Sequence, residues 1–177
     1  MKKIERYFKI EEILKKAYPE AGCTLNYKKP HELLIATILA AQCTDKRVNI
    51  ITKTLYKKYP DITAFAKADY NELCEDIKTA GLYKSKAKNI IACAKKIVSD
   101  FNGEVPQTLN ELTSLAGVGR KTAGVVLGDV FDTPSLVIDT HAKRLSKRMG
   151  FTQKCRCHSG FFVRCTLSFI FVYRLYF

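Results

Sequence analysis

Apolar residues recur three and four positions apart through most of this 177-residue chain, which is the spacing of one face of an α-helix. Pro30 opens the segment ELLIATILAAQ, which is apolar enough for a helix buried on most sides. Further helices are expected over 4–17, 44–59 with Thr44 as cap, and 69–80, which Gly81 ends. The longest stripe predicts another helix and consists of Ala87, Ile90, Ile91, Ala94, Ile97, Val98 and Phe101.

The pattern continues through the second half of the chain. Thr108 and Glu111 have the spacing of a capping box, which opens a short helix that Ala116 and Gly117 end. A further helix is expected from about Gly119, with an apolar stripe of Ala123, Val126, Leu127, Val130 and Phe131. Asp139 lies where an N-cap belongs for the helix THAKRLSKRMG. Residues 136–138 are too few for a strand prediction, so the fold class predicted is all-α.

The net charge of the chain indicates which kind of partner it binds. Thirty Lys and Arg against seventeen Asp and Glu give a net charge of +13. Such an excess indicates a polyanionic partner, either nucleic acid, the first possibility, or an acidic membrane surface. The alternative is a basic protein whose charge serves no binding partner. The charged amino terminus has no apolar core of a signal peptide, and the seven cysteines are scattered. Reduced thiols and a cytoplasmic, nucleoid-associated location are expected.

The segment LAGVGRKTAG, residues 115–124, joins two predicted helices through a glycine-rich hairpin. It lacks the spacing of a P-loop, and it lacks the third glycine and the preceding strand of a dinucleotide fingerprint. A helix–hairpin–helix remains, in which backbone N–H groups at a helix start grip a phosphodiester without reading sequence. The alternative is a corner between two helices where glycine serves tight packing.

Lys121 follows this hairpin in the first turn of the second helix. A neutral lysine amine is a nucleophile that forms Schiff bases with carbonyl carbons. The alternative, which the spacing alone favours, is a solvated lysine that touches phosphate.

Four ordered segments of the chain resemble the endonuclease III family, a group of base-excision DNA glycosylases and AP lyases. They are ELLIATILAAQCTDKRVN at 32–49, IKTAGLYKSKAKNII at 77–91, LAGVGRKTAGVVL at 115–127 and VIDTHAKRLSKR at 137–148. The resemblance extends from about residue 1 to about residue 153.

The resemblance implies roles for individual residues. Lys121 falls on the nucleophile that attacks the sugar C1′ of a flipped nucleotide, and Asp139 falls on the catalytic aspartate. Asp139 as a plain N-cap, worth about 1 kcal/mol, is compatible with that role. Gln42 falls on the residue that fills the hole left by the flipped nucleotide. Leu82 falls on the apolar wedge that enters the base stack, and Asp45 lies near the unpaired base.

Alternatives exist for two of these residues: Gln42 as a helix C-cap and Leu82 as a core residue. The resemblance assigns the phosphate-gripping hairpin to Gly117, Val118, Gly119 and Arg120. It also implies the helix–hairpin–helix DNA glycosylase fold, with a six-helix barrel at 24–131. A partial second lobe would come from 1–23 and 132–154, and 155–177 would be an aberrant aromatic tail.

The sequence departs from the family towards its end. Family members carry four cysteines spaced C-x6-C-x2-C-x5-C, which hold a [4Fe-4S] cluster. Here the late cysteines are Cys155, Cys157 and Cys165, without a fourth, so no cluster and no other cofactor is expected. A zinc site that adds His158 matches no standard spacing. The change in composition after Lys154 is interpreted as a frameshifted or truncated reading frame.

Taken together, the sequence predicts a base-excision repair DNA glycosylase with AP lyase activity towards oxidised pyrimidines. Its partner would be double-stranded DNA that contains damaged pyrimidines or abasic sites. The protein would be a monomer and would not bind a membrane. The alternative is a non-catalytic helix–hairpin–helix DNA-binding fragment. A third interpretation, from composition only, is a basic membrane-surface protein.

Overall fold

The computed structural model of the protein describes residues 3–19, 22–133 and 140–151, without the side chains of residues 3 and 140–143. Within these ranges the chain is helical and contains no strand, so the predicted all-α class is confirmed. The helices are α1 Lys3–Ala17, α2 Pro30–Ala40, α3 Asp45–Lys58, α4 Ile62–Ala66, α5 Tyr70–Asp76, α6 Tyr83–Asp100, α7 Leu109–Thr113, α8 Arg120–Val130 and α9 Thr140–Arg148.

The helices α2 to α8 form one compact unit, Leu25–Asp132. As its apolar sequence predicts, α2 lies in the core, where it packs against α3, α6 and α8, and α4 packs against α6. Burying these apolar side chains is the main source of the unit's stability. The largest fully buried side chains are Leu33, Leu34, Ile35, Leu39, Val48, Leu55, Phe65, Leu73, Ile77, Ile90, Ile97 and Leu112.

Three short helices of this unit begin with a side-chain cap. Asp61, Asp69 and Thr108 each accept hydrogen bonds from backbone N–H groups in the first turn of α4, α5 and α7. At α7 one half of the predicted capping box forms, and the Glu111 carboxylate bonds the Thr108 hydroxyl. The Thr108 hydroxyl accepts from the Glu111 N–H at 3.3 Å, but it also donates to the Glu111 carboxylate at 2.6 Å.

The helix prediction was wrong in two places. The helix expected over 69–80 ends at Asp76, and residues up to Leu82 form turns before α6 begins. Helix α4 was not predicted, because a segment of five residues is too short to show a helical period. Thr44 is the N-cap of α3 as expected, but its side chain makes no capping hydrogen bond.

The second unit combines the first residues of the chain with residues after Asp132. In it the ring of Tyr7 on α1 lies 6.1 Å from that of Phe151, edge to face. Arg6 donates a hydrogen bond to the Met149 carbonyl. The helix expected over 4–17 is present as α1, and two of its apolar residues, Ile4 and Phe8, are exposed.

Several predictions lie outside the described residues. They concern Asp139, the segment 136–138, the aromatic tail, and the late cysteines with His158. The lobes predicted at 24–131 and at the two chain ends also stay predictions. None of the helices in the described ranges is long and apolar enough to cross a membrane.

Candidate nucleic-acid interface and catalytic lysine

The predicted hairpin lies between α7 and α8, and its two glycines differ in their surroundings. Gly117 has φ +76°, and a Cβ there would lie 2.9 Å from the Asn89 Cβ on α6. Backbone conformation and close packing therefore both require glycine. Val118 is buried, and its N–H donates to the Leu115 carbonyl at 3.2 Å. Its side chain thus anchors the hairpin to the core.

Gly119 is the N-cap of α8, in extended conformation with φ −91° and ψ 175°. No atom lies within 4 Å of the position that a Cβ would take at Gly119, so the space beside this helix start is open. Arg120 and Lys121 follow in the first turn, and both are exposed. The geometry leaves room for an anion at the start of α8, with two cationic side chains beside it.

Gln42 and Lys121 belong to the same end of the Leu25–Asp132 unit. The helices α2 and α8 pack side by side, and each has 11 residues, about 16 Å of helix. The Tyr27 hydroxyl, just before α2, donates to the Asp129 carbonyl near the end of α8 at 3.0 Å. The helices therefore run in opposite directions, and the end of α2 lies on the same side as the start of α8.

Gln42 follows the end of α2 and has φ +54°, the left-handed conformation. The C-cap of α2 is Ala41, so the alternative prediction that Gln42 is the C-cap was wrong by one residue. Glycine usually occupies the left-handed position after a helix, and a residue with a side chain is strained there. The side chain of Gln42 is exposed.

Leu82 shows the same combination of strain and exposure. It is the N-cap of α6 with φ +58°, and it is 60% exposed, which excludes the alternative of a core residue. Among the described residues, four that are not glycine have positive φ: Gln42, Leu82, Asn102 and Asp132. Asn and Asp tolerate this conformation, so the two unusual cases are the residues predicted to enter DNA.

The structure brings the Gln42 and Leu82 loops into contact. A Cβ on Gly81 would lie 3.2 Å from the Gln42 carbonyl oxygen, so this glycine permits the close approach. Asp45 is the first residue of α3, three positions after Gln42, and is half-buried. The predicted DNA-contacting residues of this unit thus come from two adjoining loops and the nearby hairpin.

The starts of α3, α6 and α8 differ from those of α4, α5 and α7, because no N-cap side chain bonds their first turns. Exposed basic residues occupy these first turns, and α3 also has the acidic Asp45 there. The basic residues are Lys46, Arg47, Lys84, Arg120 and Lys121. Cations at the positive end of a helix dipole are unfavourable, typically by about 0.3–1 kcal/mol. An external anion would reverse that cost.

Sequence reasoning missed two residues of α6 that connect these parts. Lys86 is only 4% exposed, and its Nζ donates to the Leu39 carbonyl near the end of α2 at 2.8 Å. Asn89 packs against Gly117 in the hairpin. A signal existed for Lys86, because it lies four residues before Ile90 on the apolar stripe, where a lysine needs a partner.

The described residues contain no group of three or more His, Cys, Asp or Glu side chains that could hold a metal ion. Cys23, Cys43, Cys74 and Cys93, the cysteines among the described residues, take part in no disulfide. Burial raises the pKa of Cys93 to about 12, which keeps it a protonated core thiol.

Comparisons with known proteins identify the family of the chain. Residues 35–157 match the HhH-GPD superfamily of base excision DNA repair proteins. The endonuclease III of Synechocystis sp. is 51% identical over 152 residues, which are 85% of this chain and 69% of that protein. The chain belongs to the endonuclease III family. Its functional class is accordingly a base excision repair DNA glycosylase.

Other endonuclease III proteins support this assignment. That of Bacillus subtilis is 48% identical over 75% of this chain, and the chain spans 61% of its length. A trapped endonuclease III–DNA covalent intermediate superposes with a TM-score of 0.80 at 41% identity. That match covers 96% of this chain and 78% of the other. A non-covalent endonuclease III–DNA complex gives a TM-score of 0.81 with the same coverages.

Proposed function

We propose that this chain binds damaged double-stranded DNA and acts as a glycosylase with coupled AP lyase activity. The observation that carries the proposal is the shared exposed end of the Leu25–Asp132 unit. It combines Lys121, the open position beside Gly119, and the two strained residues Gln42 and Leu82. Relatives of the same family have been solved with DNA, one as a covalent intermediate, which supports the same chemistry here.

DNA binding follows from the uncapped, basic helix starts. Backbone N–H groups and Arg120 would bind backbone phosphates near the hairpin, a contact that positions the duplex without reading its sequence. The contacting Gln42 and Leu82 loops would then enter the base stack. Leu82 would wedge between bases, and Gln42 would fill the space of the nucleotide that has left.

The chemistry would begin with Lys121. Its neutral amine attacks C1′ of the flipped nucleotide, the bond from C1′ to the oxidised pyrimidine breaks, and the base leaves. The enzyme–sugar imine acidifies the C2′ proton. Removal of that proton expels the 3′ phosphate by β-elimination, and water then hydrolyses the imine. We assign Asp139 to the deprotonation of Lys121 and to stabilisation of the cationic sugar.

Borohydride trapping on a duplex with one abasic site tests this proposal, because borohydride reduces the imine to a stable adduct. The wild-type chain should give a protein–DNA adduct, and Lys121→Ala should give none. Lys88→Ala removes the same charge from an exposed position on α6 and should keep the adduct. An adduct that persists in Lys121→Ala would contradict the assignment.

The same assay separates a second candidate function, a non-catalytic DNA-binding protein. The uncapped basic helix starts favour DNA binding whether or not chemistry follows. Binding that weakens with salt, without any adduct in the wild-type chain, would support this candidate over the enzyme.

A further inference from the structure

Lys86 is a buried cation without a catalytic assignment. It lies on the core side of α6 beside the fully buried Ala87 and Ile90. Lysine is almost never buried to this degree unless it is paired. Its Nζ hydrogen bonds the Leu39 carbonyl, which belongs to the last turn of α2. The ammonium thus lies at the negative end of the α2 dipole and binds a carbonyl that the helix itself leaves without a partner.

This hydrogen bond lies close to both Gln42 and Leu82 in the chain. Leu39 lies three residues before Gln42, and Lys86 lies one turn after Leu82. The bond from Lys86 therefore ties together the two chain segments that carry the strained, exposed residues. The contact between Gly81 and the Gln42 carbonyl lies next to it, so two independent contacts fix the same junction.

Stability alone does not explain a lysine at this place. Burial lowers the pKa of Lys86, which means that its charged form is disfavoured. Replacing a buried charge by an apolar residue of similar volume is often neutral or stabilising. A strained left-handed residue, in contrast, persists only where its surroundings hold it in place.

We propose that Lys86 is a positioning residue for nucleotide extrusion: its ammonium holds the Gln42 and Leu82 loops together in the geometry that enters DNA. This inference rests on the proposed function of those two residues. Two loops that must enter one base stack from opposite sides need a fixed separation. Loops fixed before binding avoid the entropy cost of ordering them on the DNA.

The experiment uses the full chain and a duplex with a stable tetrahydrofuran abasic analogue opposite 2-aminopurine, whose fluorescence rises when it loses stacking. The wild-type chain should raise the fluorescence. Lys86→Met should lower that rise and the rate of borohydride trapping by about tenfold, a typical result of misplacement. Lys88→Met is the matched control, because it removes one charge from the exposed side of the same helix.

Affinity for undamaged duplex separates positioning from general damage. It should change by about the same small factor in Lys86→Met and Lys88→Met, since both lose one charge. Lys86→Arg keeps a cation and should recover part of the fluorescence rise. If Lys86→Met lowers the affinity for undamaged duplex by the same factor as it lowers the fluorescence rise, the proposal is overturned.

A double-mutant cycle with Leu82→Ala tests the coupling itself. If Lys86 acts through Leu82, the variant Lys86→Met with Leu82→Ala should extrude no worse than Leu82→Ala alone. The cycle of Lys88→Met with Leu82→Ala should be additive. Additive losses in the Lys86 cycle would overturn the proposal.

A second variant covers the case in which Lys86→Met does not fold. Gly81→Ala leaves Lys86 intact but places a methyl group 3.2 Å from the Gln42 carbonyl oxygen, a close contact that shifts the two loops by a few tenths of an ångström. It should also reduce the fluorescence rise, and wild-type extrusion by Gly81→Ala would overturn the proposal. The fluorescence needs no chemistry, so a wild-type chain that extrudes without forming an adduct would refute the lyase function alone.

Discussion

The two glycines of the hairpin, Gly117 and Gly119, serve different purposes, and matched substitutions separate them. Gly117→Ala adds a methyl group 2.9 Å from the Asn89 Cβ at φ +76°, which alanine tolerates poorly. We expect a loss of about 2 kcal/mol in the free energy of unfolding, measured by urea titration. A loss below about 0.5 kcal/mol, the range of ordinary surface changes, would contradict the close packing described.

Gly119→Ser should show the opposite profile. Nothing lies within 4 Å of the new Cβ, and serine at an N-cap accepts hydrogen bonds from the first turn of α8. The free energy of unfolding should rise by a few tenths of a kcal/mol. Affinity for duplex DNA should fall, because the hydroxyl occupies N–H groups assigned to phosphate; unchanged affinity in a binding titration would argue against that assignment.

Single residues also mark the limit of sequence reasoning here. The resemblance selected Gln42 and Leu82, but nothing local predicts positive φ for a glutamine or a leucine. Their conformation depends on long-range contacts, namely the bond from Lys86 to Leu39 and the approach of Gly81 to Gln42. Such contacts join residues about forty positions apart and have no signature in a local window.

At the scale of elements, the five-residue helix α4 is structurally important despite its length. Phe65 is fully buried, and its ring centroid lies 4.9 Å from that of Tyr59. Phe65→Ala should lower the free energy of unfolding by about 3–5 kcal/mol through lost burial and a cavity. Urea titration measures this loss.

The matched control for Phe65 is Ile50 on α3, which is 64% exposed. Ile50→Ala should change the free energy of unfolding by less than about 0.5 kcal/mol. Equal losses in the two variants would mean that α4 does not contribute to the core as its burial indicates.

The longer helices were predictable because their apolar spacing extends over several turns. In α3, α6 and α8 most residues that the periodicity selects are buried, but Val98 of the α6 stripe is 37% exposed, and Val130 and Phe131 of the α8 stripe are half-buried. The helix α4 was missed because two apolar residues at i and i+3 define no period. The helix over 69–80 was too long by one turn, since the apolar Ile77 packs in the core from a turn.

At the scale of the whole molecule, the net charge of +13 makes the salt dependence of DNA binding informative. Each phosphate contact contributes about −0.9 to the slope of log K against log salt concentration. Arg120→Gln should therefore reduce the magnitude of this slope by about 0.9. Binding titrations at several salt concentrations measure it.

Lys16→Gln is the control for this measurement. Lys16 lies on α1 and pairs with Glu12 at 2.8 Å, and no DNA contact is assigned to it. The salt-dependence slope of Lys16→Gln should equal that of the wild-type chain, although Lys16→Gln lowers the net charge by the same amount as Arg120→Gln. Identical slopes in both variants would mean that Arg120 does not touch phosphate.

Sequence alone thus reached the family, the helical class and the positions of the hairpin and its lysine. It did not reach the way in which α6 connects them. Gly81, just before α6, approaches the Gln42 carbonyl, Lys86 bonds the Leu39 carbonyl at the end of α2, and Asn89 packs against Gly117 in the hairpin. A local period cannot reveal which segments those are.

This arrangement lets α6 set the distance between Leu82, the proposed wedge, and the hairpin that is proposed to bind phosphate. Leu82 and Asn89 are seven residues apart, about 10 Å along the axis. Inserting one residue between Lys86 and Asn89 would turn the wedge by about 100° about that axis. If these roles hold, the number of residues from Leu82 to Asn89 should be fixed, whereas an exposed residue such as Lys88 on the same helix carries no such constraint.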